Sequence, residues 1–468
     1  MEFSRHRRKF LAGVTGAMAA GMWPGFAPAD SVAGHVLFLR PADNGYADHT
    51  ALFNKRLVRR PALVAVCFDE AGVQIAVARA RSEGLPVAIK SGGHSFEGLS
   101  LNDGGFVIDV SAMSGQQLAD DGSYMVEPGC RLMQSYEYLV PQGRLLSLGS
   151  CGMVGIAGLT LGGGYGLFSR QHGLACDALR GLRIVDAQGA MQEAVPGSEL
   201  FRACCGGGNG NYGIVTRLQF DTFAAPKQLW RHLFKAHDLD TRRAADCAAA
   251  WFDAVPQLPR SAFSAFVLNH RTLTILVTDT DAEMSAEISD VLGRLAKITD
   301  KHYPARREAL IDGIRRYYGR FAPLNFKNAS AGFYAGFADI APAAPALFSL
   351  VTTTPGLLYQ VNTMGGMIGD SDDGTRTAYA HRGAMFLAEI QSYWEEPAAE
   401  ARLSTAVHDV QRLLSHAGVR AHYANYPDLS FQDWASAYYG AAGYLRLRQV
   451  KKQYDPDHLF QHAQGVRP

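Results

Sequence analysis

Two glycine-rich stretches carry the most distinctive chemistry of this chain: Lys90-Ser91-Gly92-Gly93-His94-Ser95-Phe96-Glu97-Gly98 and Gly149-Ser150-Cys151-Gly152-Met153-Val154-Gly155. Glycines let backbone N–H groups approach a diphosphate closely. An imidazole and a thiolate are nucleophiles that can add to an electron-poor ring such as an oxidised isoalloxazine. Singly, a histidine beside Gly-Gly is usually a turn residue and a lone cysteine a small buried hydrophobe. As a pair, His94 and Cys151 fit the two attachment points of a doubly tethered flavin.

Further stretches follow. Residues 152–166 are too glycine-rich for a stable isolated helix and too poor in charge for a solvent loop, which points to backbone packed against a ligand. Gly208-x-Gly210-x-x-Gly213 has the spacing of a dinucleotide fingerprint, but Ile214–Phe220 after it reads as a strand where that motif needs a helix. The tail holds Tyr423-Ala424-Asn425-Tyr426-Pro427-Asp428, Tyr438-Tyr439-Gly440 and Tyr454-Asp455-Pro456.

In this order the stretches resemble the berberine-bridge-enzyme-like branch of the vanillyl-alcohol-oxidase family of FAD oxidases, over roughly residues 60–222 and 379–464. The resemblance implies an α+β protein: a two-part FAD-binding domain of the PCMH type with an inserted substrate domain of antiparallel sheet plus helices. It implies FAD bonded through its 8α-methyl carbon to His94 and through C6 to Cys151. Ser91, Gly92, Gly93, Ser95, Gly155, Gly158, Gly162, Gly163, Tyr165, Gly166, Gly213, Ile214, Val215, Tyr423 and Asn425 are the other expected cofactor-side residues. Tyr426 is the implied base, acting partly as tyrosinate, which requires a neighbouring cation or hydrogen-bond donors to lower a pKa normally near ~10. Val154 falls at the implied oxygen gate, and its small size resembles oxygen-reactive members. Asn362, Gln360 and Gln391 are expected on the substrate side. Lys90, Gly152, Cys205 and Ala441-Ala442 depart from the family's usual arginine, proline, arginine and asparagine.

The elements that must position these residues are legible in outline. Ala62–Cys67 reads as a strand, 69–84 as a helix and Leu85–Ile89 as a second strand ending on the His94 loop. Gly105–Val110 and Tyr124–Glu127 add strands; in a strand Tyr423 and Asn425 share a face with Tyr426 on the other, so one of these orientations must be distorted if both Asn425 and Tyr426 touch the active site. Composition shifts at Ala224-Ala225-Pro226. Beyond it, helical patterns over 242–255, 281–296 and 401–414 alternate with strands such as Leu273–Val277, and Pro342–Pro345 reads as a loop. The expected division is an export signal over 1–29, a FAD-binding domain over 30–222, a substrate domain over 223–420 and a C-terminal segment over 421–468 that returns to the FAD-binding domain.

The formal charge of +1 over 468 residues gives no electrostatic footprint for nucleic acid or anionic lipid, so a small molecule is the expected partner. Arg7-Arg8 before Phe10-Leu11, a short apolar run and Ala27-Pro28-Ala29 resemble a twin-arginine export signal, implying the export machinery as partner, a periplasmic or secreted enzyme and no membrane anchor after processing. The 7 cysteines are odd in number, and no disulfide framework is expected. No Gly-x-Ser-x-Gly or Cys-x-x-Cys occurs, and His458-x-x-x-His462 has Leu459 where a zincin carries Glu, so neither hydrolase nor metal chemistry is expected. The expectation is an oxidase that takes a hydride from an alcohol or activated C–H of a sugar, aromatic alcohol or secondary metabolite and passes electrons to molecular oxygen. A dehydrogenase with another acceptor and a non-catalytic flavin-bearing binding protein are the alternatives.

Overall fold

Every residue of the strand Leu63–Cys67 is buried, because both faces of its sheet are covered. Leu63, Ala65 and Cys67 pack with Val73, Ala76, Val77 and Ala80 of the helix Glu70–Glu83, while Val64 and Val66 pack with Leu39, Ala88 and Val107. The helix begins where the Asp69 side chain accepts from the Gly72 N–H and ends at Gly84, whose φ of +64° suits glycine. It delivers the chain to Val87–Lys90, which lies parallel to Phe106–Asp109, itself parallel to Leu63–Cys67. Val36–Leu39 and Ser31–Val32 complete a five-stranded sheet. The His94 loop therefore leaves directly from a strand end. The computed structural model describes residues 31–32, 34–281, 283–370 and 375–468; the expected export signal lies outside them.

A second five-stranded sheet is antiparallel, in the order Met191–Ala194, Leu179–Val185, Ile214–Asp221, Ser123–Val126, Gln116–Leu118. The helix Glu199–Cys204 precedes the glycines 206–213 and the strand Ile214–Asp221 follows them. That is helix then strand, the reverse of a dinucleotide-binding turn. The chain returns here at its end. Lys451, in the helix Ala441–Tyr454, donates from Nζ to Asp455 at 2.6 Å and to the Asn211 and Phe460 carbonyls at 2.7 and 2.8 Å, while Val87 N–H donates to Leu459 O at 2.8 Å.

The third sheet has seven strands, in the order Lys301–Ala309, Gln228–Ala236, Thr272–Asp279, Ala262–Asn269, Leu357–Thr363, Phe386–Trp394, Asn325–Tyr334, every pair antiparallel. The helices Thr241–Ala254, Ala286–Ile298, Ala344–Thr353 and Glu400–His416 cover one face with a core that includes Trp251, Phe266, Tyr359 and Ile390. Period-two alternation turns the intervening residues to the other face. Ala265 and Val267, Leu358, Gln360 and Asn362, and Glu389, Gln391 and Tyr393 all line a cleft there. The antiparallel sheet with its helices gives the α+β substrate-side layer anticipated from sequence.

Two local expectations change. Pro342–Pro345 runs into the helix Ala344–Thr353, with proline in its first turn where a missing N–H costs nothing. Residues 421–426 form no strand: Tyr426 N–H donates to Tyr423 O at 2.9 Å, closing a turn. Pro427, which follows, lacks the N–H that a central strand needs. The turn removes the alternation that would have sent Asn425 and Tyr426 to opposite faces.

Candidate active site

The His94 and Cys151 loops touch backbone to backbone. A Cβ on Gly155 would fall 2.7 Å from Gly92 N and Ser91 Oγ, and one on Gly92 would fall 2.5 Å from Gly155 N, so only glycine allows this approach. Arg131 staples the pair, donating from one guanidinium nitrogen to the Gly92 carbonyl and, at 2.9 Å, to the Met153 carbonyl. His94 stacks on Phe53 with ring centroids 3.9 Å apart. Burial, reinforced by the Arg131 charge, lowers the His94 pKa to about 3. Its imidazole is neutral and therefore nucleophilic. Cys151 also borders the cleft, where burial raises its pKa.

The glycine-rich run after Cys151 contains the short helix Ile156–Leu161. Much of its glycine serves protein packing rather than a ligand: a Cβ on Gly162 would lie 2.1 Å from Asn425 Oδ1, and one on Gly166 would lie 1.9 Å from Leu148 O. Gly158, in contrast, meets nothing within 4 Å and faces the cleft. Asn425 is the clasp of this segment. Its Nδ2 donates to Leu159 O at 3.0 Å and to Tyr423 Oη at 2.9 Å, and its Oδ1 accepts from Asn209 Nδ2 at 2.7 Å. Tyr423 Oη in turn accepts from Gly164 N at 3.0 Å.

The cleft encloses about 1030 Å³. Small-molecule sites span roughly 300–1,000 Å³, so there is room here for a large cofactor. Enclosed polar atoms along it lack any protein partner: His94 Nε2, Ser100 Oγ, Asn209 Oδ1 and His462 Nδ1. Orphaned polar atoms beside exposed glycine backbone suit a ligand with phosphates, hydroxyls and a heteroaromatic ring, which is the chemistry of FAD.

Opposite these loops, a closed network of side chains faces the cleft. Tyr426 Oη and Tyr165 Oη lie 2.5 Å apart. Asn362 Nδ2 donates to Tyr165 Oη at 3.1 Å, Gln360 Nε2 to Asn362 Oδ1 at 3.0 Å, and Gln391 Nε2 to Gln360 Oε1 at 3.2 Å. Gln391 Nε2 also donates to Glu389 Oε2 at 3.0 Å, and Asn328 Nδ2 to Glu389 Oε1 at 3.3 Å. Burial raises the Glu389 pKa to about 8, against opposing hydrogen bonds from Gln391, Tyr426 and Asn328.

Burial, the neighbouring Tyr165 and the Glu389 carboxyl push the Tyr426 pKa well above the ordinary phenol value. Its ring stacks on Phe96 with centroids 5.2 Å apart.

Most residues singled out in the sequence border this one cleft, including Ser91, Ser95, Val154, Tyr165, Gly213, Val215, Asn362 and Gln391. Gly162, Gly163 and Ile214 stand behind it: Gly162 against Asn425, Gly163 against the Tyr379 ring, Ile214 in the core of the first sheet. Lys90 turns away to a buried pair with Asp109 at 2.9 Å, and Cys205 is a buried thiol. Glu389, Asn328 and Arg131 were missed. Glu389 had a usable signal, since it stands two residues before Gln391 and shares its strand face. Arg131 had none.

Comparison with known proteins agrees with this geometry. Residues 61–194 match a family described as a FAD binding domain, and 422–467 one described as berberine and berberine like. The aclacinomycin-N/aclacinomycin-A oxidase of Streptomyces galilaeus is 30% identical over 91% of this chain and 89% of its own length. The chitooligosaccharide oxidase of Gibberella zeae is 28% identical over 90% of each. Among solved structures, an aclacinomycin oxidoreductase superposes with a TM-score of 0.83 at 27% identity, covering 93% of this chain and 100% of that one.

Proposed function

This chain belongs to the berberine-bridge-enzyme-like FAD-linked oxidoreductases, and from that premise we propose that it is an exported oxidase acting on an alcohol carbon of a sugar, free or joined to an apolar aglycone. We further propose that His94 and Cys151 both bond the flavin. When bound, the flavin supplies a two-electron acceptor that dioxygen re-oxidises with release of hydrogen peroxide. His94 meets the demands of attachment as a neutral imidazole with an unpartnered enclosed Nε2. The close approach of the Gly92 and Gly155 backbones, with Arg131 donating to the Gly92 and Met153 carbonyls, holds the two loops that carry these residues together.

The observation that carries the substrate reading is the chemistry of the opposite wall. Asn328, Gln360, Asn362 and Gln391 offer amide donors and acceptors suited to a run of hydroxyls, while Phe263, Val267, Leu276 and Leu358 offer an apolar surface beside them. Tyr426 stands at the junction of tail and sheet, where its phenol can receive the hydroxyl proton. Val154 borders the same cavity and is small enough to leave oxygen a path. The names of the relatives, a chitooligosaccharide oxidase and an aclacinomycin-N/aclacinomycin-A oxidase, are compatible with a sugar-bearing substrate for the first of them. A peroxide-release screen over oligosaccharides, glycosylated aromatics and simple aromatic alcohols tests it. Turnover of sugars or glycosides is expected; turnover confined to the simple alcohols would overturn the substrate assignment.

A further inference from the structure

The cleft-facing residues Phe96, Phe326, Asn328 and Tyr426 come from three separate segments, and one buried cluster of charges stands directly behind them. Period two along Asn325–Tyr334 gives Phe326 and Asn328 to the cleft and turns Lys327, between them, away from it. The Lys327 ammonium donates to Glu97, the residue after Phe96, and lies 3.1 Å from an Asp428 oxygen, two residues after Tyr426. Arg56 completes the cluster, donating from Nη2 to Glu97 Oε2 at 3.2 Å and from Nε to the Phe326 carbonyl at 3.1 Å. Lys327 and Glu97 are each 5% exposed and Asp428 is 1% exposed.

Desolvating four charges is costly, and an apolar layer of the same volume would hold the segments together as well. Charge pairs add direction: an ammonium seated between two carboxylates fixes the register of the segments that carry them. Against the burial that opposes it, the Lys327 charge and the Ser430 N–H keep the Asp428 pKa below the ordinary carboxylate range, so the pair is ionised on both sides. In front of the cluster the Phe96 ring stacks on Tyr426 with planes 12° apart and meets the Phe326 ring edge-on at 5.6 Å. The Tyr426 carbonyl accepts from the Ser330 N–H at 3.0 Å. The phenol is thus placed through its ring by the residue beside Glu97 and through its backbone by the strand that carries Lys327. Lys327, Glu97 and Asp428 do not border the cleft themselves, so they act on chemistry there only through residues that do.

We infer that Lys327 is a positioning residue: its ammonium, held between Glu97 and Asp428, locks the His94 loop, the third sheet and the tail turn in one register and so sets where the Tyr426 phenol stands in the cleft. The inference rests on the oxidase reading above. A hydroxyl and the group that receives its proton must meet at hydrogen-bond distance, and a misplacement of about 1 Å caused by a change far from the chemistry can cost ~10²-fold in rate. Lys327 itself takes no part in bond making or breaking.

The test is Lys327→Met in the flavin-loaded enzyme, made alone and in a Tyr426→Phe background, with flavin content and melting temperature as checks on folding. When Lys327 is lost, Glu97 keeps Arg56 and Asp428 keeps the Ser430 N–H, so neither carboxylate is left without a partner. In stopped-flow reduction by the sugar identified in the peroxide screen, Lys327→Met should lower the saturating rate by at least ~10-fold while the sugar concentration for half-saturation changes little. In the Tyr426→Phe background the same substitution should cost no more than ~2-fold, because no phenol is left to misplace and effects that run through one group do not add. Lys327→Arg, which keeps a cation between the two carboxylates, should recover part of the rate. Glu97→Gln, which removes one of the charges that seat the ammonium, serves in both backgrounds if the methionine variant does not load flavin. Equal slowing in the two backgrounds, or none in the enzyme that retains Tyr426, would overturn the inference and leave the oxidase reading intact. Wild-type flavin that no alcohol or sugar reduces would overturn both.

Discussion

At the scale of single residues, the site divides into groups that announce themselves by type and one that does not. His94 and Cys151 stand out because a nucleophile inside a glycine run is unusual, and Tyr426 because it follows Asn425 in a motif-like tail. Glu389 was hidden by its neighbours: in Phe386–Trp394 it is one polar residue among several, and only the period-two pairing of the strand with Leu357–Thr363 turns it toward Tyr426. The surroundings that oppose ionisation of Tyr426 were hidden for a related reason, since the burial and the carboxyl come from segments far away in the chain. Tyr426→Phe should keep fold and flavin but slow the reductive half-reaction by at least ~10²-fold, read by stopped flow at saturating substrate. A rate within a few-fold of wild type would remove Tyr426 from the proton path. Val154→Leu adds one methylene at the wall of the cleft and narrows the space beside it. Re-oxidation by dioxygen should then slow by ~10-fold or more while reduction by substrate barely changes; equal slowing of both would indicate general damage to the site.

At the scale of elements, the strand, helix, strand unit before His94 was legible because its periodicities are local: five buried residues, then a helix with an Asp69 cap and a Gly84 stop, then Val87–Lys90. The tail turn was not, because an alternating run ending in proline reads the same on paper whether or not a partner strand exists. Its anchoring depends instead on Lys451, a fully buried ammonium that joins Asp455 and the Phe460 carbonyl of the tail to the Asn211 carbonyl of the FAD-binding part. Asp455 also accepts from the Leu459 and Phe460 N–H groups at 2.7 and 2.9 Å. Lys451→Met should therefore cost about 3–5 kcal/mol, because it strands a buried carboxylate and two carbonyls. Urea unfolding of the flavin-loaded protein measures this. Replacing Asp455 by leucine as well should restore only part of the loss, since the two N–H groups then lack their acceptor; full recovery would mean the tail is held by packing alone.

At the scale of the whole molecule, the cleft is assembled from the three larger sheets and the tail: His94 after the first sheet, Cys151 beside the second, Glu389 on the third, Tyr426 from the returning chain. Family resemblance supplied the pairing of His94 with Cys151 and the returning tail with Tyr426 as expectations, whereas composition and spacing could not, because no local pattern records which distant faces meet. Assembling the cleft has a thermodynamic consequence that can be measured. Folding buries Glu389 and raises its pKa from an ordinary 4.5 to about 8. Between those pH values the folded protein holds a proton that the unfolded chain has released, so stability falls as pH rises through this window and levels off above it. Glutamine has no such titration. Glu389→Gln should therefore gain stability relative to wild type on going from pH 5 to pH 8, by a few degrees in melting temperature, even as it loses the capacity to accept a proton. Melting curves of both flavin-loaded proteins across that range decide the matter: a difference that does not change with pH would show that Glu389 ionises in the fold as it does in water, and the carboxyl would then need a cation that the described residues do not supply.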